Sequence, residues 1–153
     1  MHSLIIQVGK EPFEKEDYIN FWDFSDGFVP NIADYVADLD STGMLNGIKN
    51  VFGIRKDVFK LGERTVTIKS KELYFEQKFK DFTKYLKKVS ENATLNAFIK
   101  GDLAYDLWML NSLHNENREV YIYDGYPITM DEWMRYVKNG ESYHIGGVVD
   151  YHF

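Results

Sequence analysis

Between Ser70 and Asn92 the chain repeats large apolar residues at Phe75, Phe79, Phe82, Leu86 and Val89, spaced by four, three, four and three. Only a helix of 3.6 residues per turn lines up such a set, because a strand alternates its side chains every second residue. Ser70 stands where an N-cap is wanted and Glu72 and Glu76 lie near the positive end of the helix dipole. Lys84, Lys87 and Lys88 lie near its negative end. Each ring of the seam is worth about 2–3 kcal/mol when fully buried, so the expectation is that the rest of the fold is laid against this helix, over about 71–91.

The flanking sequence changes period. Residues 3–8 read as a strand, and residues 56–61 and 64–69 as a hairpin turning at Gly62-Glu63. Residues 119–123 and 142–151 give two more strands, the last interrupted by Gly146-Gly147, which reads as a bulge or bend. Shorter helical patterns cover about 14–23, 31–40, 44–53, 103–114 and 130–138. The fourth follows an Asp102 cap, and the fifth opens on the capping box Thr129-x-x-Glu132. Ser41-Thr42-Gly43 reads as the end of the helix over 31–40. The expected fold is α+β, one globular domain over residues 1–153, with a mixed or antiparallel sheet of about five strands packed against the long helix and several shorter ones.

A chain of 153 residues buries enough surface to stand without metals or crosslinks. Cysteine is absent, which excludes disulfides, thiol catalysis and cysteine-based metal centres and fits a reducing cytoplasm. The apolar run at residues 4–8 is too short for a signal segment or a membrane span, so the reading is a cytoplasmic protein with no membrane partner. Charge is arranged in blocks, about −7 over residues 1–48, +7 over 49–100 and −6 over 101–153. The net charge of −6 argues against nucleic acid as a partner.

Catalytic motifs do not emerge. No Gly-x-Ser-x-Gly elbow, Walker pattern or dinucleotide glycine signature is present, so enzyme activity stays open with a non-catalytic protein favoured, and no cofactor is assigned. His144, Asp150 and His152 would share a face on an unbroken strand and resemble a metal ligand set, but the glycine pair between them spoils the register, and no metal site is assigned. Lys80, Lys84, Lys87 and Lys88 share a helix face, which reads as the solvated side opposite the Phe seam.

The sharper pattern lies in residues 11–40, where nine carboxylates interleave with Phe13, Tyr18, Phe21, Trp22, Phe24 and Tyr35. A negative field speeds encounter with a basic partner, and aromatic rings anchor in its pockets. The expected function is therefore binding, and inhibition, of another protein with a basic surface, as immunity-type or anti-defence inhibitors do. Glu14, Asp17, Tyr18, Trp22, Asp23, Asp26 and Asp34 are the partner-binding candidates. The alternative is a small hydrolase, transferase or ligand-binding domain with its site near the C-terminal strand, around His144 and Asp150.

Overall fold

The computed structural model describes residues 1–115 and 120–153, and is α+β. In chain order come β1 (His2–Gly9), two 3-10 turns (Lys15–Asp17 and Phe21–Phe24), β2 (Tyr35–Asp38), and α1 (Ser41–Ile48), which runs into a π-helical turn (Lys49–Gly53). The hairpin β3 (Phe59–Leu61) and β4 (Thr65–Ile68) leads to α2 (Lys71–Asn92), α3 (Leu95–Lys100) and α4 (Ala104–Asn115). The chain then returns through β5 (Val120–Tyr123), β6 (Pro127–Thr129), α5 (Met130–Tyr136) and β7 (Ser142–His152). The residues fall into two compact units, one of Met1–Lys71 with Asn117–Phe153 and one of Glu72–Glu116.

The first unit is organised by one seven-stranded sheet in the order β3-β4-β7-β1-β5-β6, with β2 also paired to β7. All neighbours are antiparallel except β1 and β5, which run parallel. The long β7 carries β1 along one edge, and on its other edge β4 meets residues 142–144 while β2 meets 149–152. Between them, among the described residues, β7 has no strand partner on that edge. The β1–β7 register shifts between Ile6 and Val8, so Gly146 and Gly147 together face Gln7, and this is the bulge expected at the glycine pair.

Strand alternation gives each face of the sheet its own cover. On one face Leu4, Ile6, Val66 and Val148 meet α1, the π-helical turn and α5. A Cβ on Gly47 of α1 would stand 2.9 Å from Leu4 Cδ1, and Phe52 meets Phe59 and Trp133 edge-on at 5.1 and 6.3 Å. On the other face Ile5, Tyr121, Val149 and Tyr151 are sealed by Ile19, Phe24, Phe28 and Ala33, all buried. That second cover has no α-helix. It is an irregular segment held by side chains, with the Phe28 ring edge-on to Phe24, Tyr121 and Tyr151 at 5.6, 5.1 and 5.6 Å.

Two of the expected helices are replaced here. Residues 14–23 form two 3-10 turns, since Asn20 and Asp23 satisfy backbone N–H groups at Trp22 and Asn20 in a reciprocal cap that stops helix propagation. Residues 35–38 are a strand. Ile32, Tyr35, Val36 and Leu39 have helical spacing, yet Tyr35 and Val36 are also good strand formers, and the ladder to β7 decides. Asp40 accordingly becomes the N-cap of α1, accepting the Gly43 N–H at 2.6 Å, so that Ser41-Thr42-Gly43 starts a helix where a stop was expected. The strand β6 was also not anticipated, and Glu119 of the expected strand 119–123 lies outside the described residues.

The long helix spans Lys71–Asn92, close to its expected bounds, and from Glu72 onward belongs to the second unit. Its seam is unevenly covered. Val89 is buried, Phe75 and Phe82 are half-buried, and Phe79 is 64% exposed. Within the unit the Phe82 ring lies 6.0 Å from His114, and the Tyr85 hydroxyl donates to Asp106 Oδ1 at 2.5 Å, which raises the phenol pKa to about 12. Thr94 caps α3, and Gly101, with φ of 75°, ends it in the left-handed conformation.

The turn from α5 into β7 rests on one carboxylate. Glu141 Oε2 accepts the Lys138 N–H and the Tyr143 hydroxyl, each at 2.9 Å, with Lys10 Nζ 3.5 Å from Oε1. These contacts, the Lys138 N–H foremost, hold its pKa below the ordinary glutamate value of 4.5. A depressed carboxylate stabilises the fold above its unfolded pKa and loses that contribution as pH falls through the folded value. Glu141→Gln should therefore lower the melting temperature at neutral pH, and the gap to wild type should close as pH drops below 4.5. Thermal melts from neutral to acidic pH check this; a gap independent of pH would show that the charge of Glu141 is irrelevant.

Candidate functional site

The 3-10 turn at Phe21–Phe24 presents two rings to solvent. Phe21 is 38% exposed and Trp22 71%, and their rings lie 4.3 Å apart at 36°. The backbone beneath them is fixed from three sides. Asp23 Oδ2 accepts the Asn20 N–H at 2.8 Å, Asn20 Oδ1 accepts the Trp22 N–H at 3.0 Å, and Asp38 Oδ1 on β2 accepts the Phe21 N–H at 2.8 Å. Phe24, the next aromatic, turns inward and is buried, so the turn splits its rings between core and surface.

The seven partner-binding candidates are dispersed in role. Glu14, Asp17, Trp22, Asp23, Asp26 and Asp34 are exposed and Tyr18 is half-buried. Asp23 is also a structural cap. Asp34 belongs elsewhere, at 3.1 Å from His152 Nδ1. Tyr18 lies under a cation, its ring centroid 5.2 Å from Arg64 Cζ. Among the seven candidates, Glu14, Asp17 and Asp26 are exposed carboxylates without a structural duty evident among the described residues.

Arg64 and Tyr18 border a cleft of about 440 Å³ that opens where β7 lacks a strand partner. Lys15, Asp38 and Ser41 also line it, over a floor that includes Ile19 and Val148. Arg64 closes the gap in the ladder itself: its carbonyl accepts the Ile145 N–H at 2.9 Å, and Nη1 donates to Gly146 O at 3.2 Å. Behind the bulge the buried Gln7 acts as a clamp. Its Oε1 accepts N–H groups from Ile19 (3.1 Å) and Gly147 (2.8 Å), and its Nε2 donates to Asp17 O (2.9 Å). A Cβ on Gly147 would fall 2.8 Å from the backbone N and O of Ile19, so only glycine lets the cover come this close. Gln7, Asp38 and Arg64 were missed from sequence; a lone glutamine inside Leu4-Ile5-Ile6-Gln7-Val8 was the visible signal for the first.

The C-terminal histidines do not converge as an unbroken strand would have them. The extra residue at the bulge turns His144 to the face opposite Asp150 and His152, so a pocket joining His144 to Asp150 is ruled out. Asp150 instead meets His2, with Nδ1 and Oδ2 2.7 Å apart, while His152 stacks on Tyr35 at 5.2 Å and 6°. Among the described residues no three His, Asp or Glu side chains are placed to hold a metal ion, and no helix is long and apolar enough to cross a membrane.

No family model, curated protein or solved structure matches this chain.

Proposed function

We propose that the protein is a non-catalytic binding protein that docks its acidic, aromatic N-terminal segment onto a basic surface of another protein and inhibits that partner by covering it. The observation that carries the reading is Trp22, a large ring exposed on a backbone turn that three hydrogen bonds immobilise. A pre-ordered ring loses little conformational freedom on docking, and tryptophan is the side chain most enriched at binding hot spots. Glu14, Asp17 and Asp26 on the same segment supply the field that draws in a cationic partner.

The protein is used to capture partners at low salt, and the captured partner is then measured against variants. Trp22→Ala should speed dissociation about thirtyfold or more, as hot-spot truncation costs about 2 kcal/mol or more. Asp17→Lys with Asp26→Lys should slow association and flatten its salt dependence. Asp23 is left intact because it caps the turn. An unchanged dissociation rate for Trp22→Ala would remove the segment from the interface. A second reading, a ligand-binding or hydrolytic site beside β7, has the Arg64–Tyr18 cleft behind it, and would be favoured by small-molecule binding that Arg64→Ala abolishes.

A further inference from the structure

The short helix α3 presents its apolar side outward. Leu95, Phe98 and Ile99 stand at i, i+3 and i+4 and so form one stripe, yet Leu95 is 76% exposed and Phe98 and Ile99 74% each. The residue that α3 half-buries is Ala97, on the opposite side. Thr94 caps one end of the helix and Gly101 the other, which fixes the direction of the stripe.

Across the turn at 101–103, α4 repeats the pattern. One side of it carries Asp106, Leu110 and Leu113, all half-buried, and is engaged by α2 where Asp106 accepts the Tyr85 hydroxyl. Tyr105 and Trp108 project away from that side, both more than half exposed, with their rings 5.9 Å apart. A helix apolar on two sides is patterned to be covered from both. Single exposed apolar residues are ordinary, but these five lie close together in the chain and expose on the order of 700 Å², against about 800 Å² that each partner contributes to a stable interface.

The charge of the helices selects the occupant. Residues 72–115 hold six acidic and six basic side chains and therefore no net charge, although the chain as a whole carries −6. Two copies can meet here without the repulsion that opposes contact between their acidic segments, and a neutral surface offers a strongly charged partner or an anionic membrane nothing to select.

We propose that α3 and α4 are a self-association surface, through which two copies of this chain pair about a two-fold axis with α3 packed on α3. A stripe of three large side chains is self-complementary when the second helix runs antiparallel, so each copy covers the stripe of the other and the contact closes at two. Tyr105 and Trp108 flank it. The surface is separate from the acidic, aromatic segment around Trp22 and does not depend on the function proposed for that segment.

Sedimentation equilibrium of the full chain over a hundredfold range of concentration tests the pairing. The mass should rise from that of one 18.0 kDa chain to twice that value and stop there. Ile99→Glu and Phe98→Glu should each raise the dimer dissociation constant at least about tenfold, because each sets a charge in an apolar contact, while Ile99→Leu retains pairing. Ile54→Glu, at an apolar residue of similar exposure outside these helices, should leave the constant unchanged. Far-UV circular dichroism shows that each variant keeps its helices. The chain has no cysteine, so a spin label on Asn96→Cys reads the pairing without touching the stripe. Packed helices lie about 8–10 Å apart, and the two labels should therefore show a separation under about 30 Å. A monomer throughout the range, a dimer that Ile99→Glu leaves intact, growth beyond two copies, or labels with no short separation would each overturn the proposal. So would a monomer that binds phosphatidylglycerol vesicles and loses them in Ile99→Glu, which would give the stripe to a lipid surface.

Discussion

Phe28→Ala is expected to destabilise the protein by about 4 kcal/mol, because truncating a buried phenylalanine loses its transfer free energy and leaves a cavity. For a chain of this size that lowers the melting temperature by about 8–16 °C. The location makes the upper part of the range the better expectation. Phe28 is 4% exposed and is the ring through which the irregular cover reaches both Tyr121 on β5 and Tyr151 on β7. A helical cover relaxes into a cavity by small shifts, but this segment keeps its place through side chains, and Phe28 makes three of its ring contacts. Differential scanning calorimetry measures the effect. A loss under 1 kcal/mol would mean that the cover does not depend on this ring.

The second large effect is Gln7→Met, which keeps the length of the side chain and removes its polar atoms. The N–H groups of Ile19 and Gly147 would then be buried without acceptors, and Asp17 O would lose its donor. Each buried group left unsatisfied costs about 1–3 kcal/mol, so the loss should be about 3 kcal/mol. Because the clamp joins the cover to the bulge, hydrogen exchange at Ile19 should accelerate more than at Ile122 in the sheet centre. Uniform acceleration across both would show that Gln7 supports global stability alone. Gln7→Glu is the sharper control, since it still accepts both N–H groups but cannot donate to Asp17 O and buries a charge.

What could be read from the chain was set by how local the determining forces are. The long helix, the hairpin, the Thr129 cap and the glycine bulge depend on neighbours within a few positions, and each appears where the periodicity and capping residues put it. The helix over 31–40 failed for the complementary reason. Tyr35 to Asp38 has a pattern compatible with either structure, and the choice is made by Val149 to His152, more than a hundred residues later. Asp34 and His152 meet through that same ladder, which is why the carboxylate looked like a member of an acidic patch. At the candidate site Trp22 was legible as an aromatic among acids. Its immobilisation by Asp38 was not, since Asp38 reaches the Phe21 N–H only from β2, and residues 35–38 carry a helical spacing. The inward turn of Phe24 was equally hidden, because a 3-10 turn divides its side chains differently from the α-helix that the spacing suggested.

The position of β1 has a consequence for how the molecule is made. It lies inside the sheet, yet both strands that flank it, β5 and β7, come from the far part of the chain, and the clamp from Gln7 to Gly147 closes over 140 positions. Loop-closure entropy must be met before such contacts reward it. During synthesis Leu4, Ile5, Ile6 and Val8 would emerge well before either flanking strand and remain without those partners while more than a hundred residues follow, whereas the β3–β4 hairpin pairs within a few residues. The sheet's centre therefore cannot close until β5 and β7 have been made, and until then the apolar β1 strand has no sheet partner.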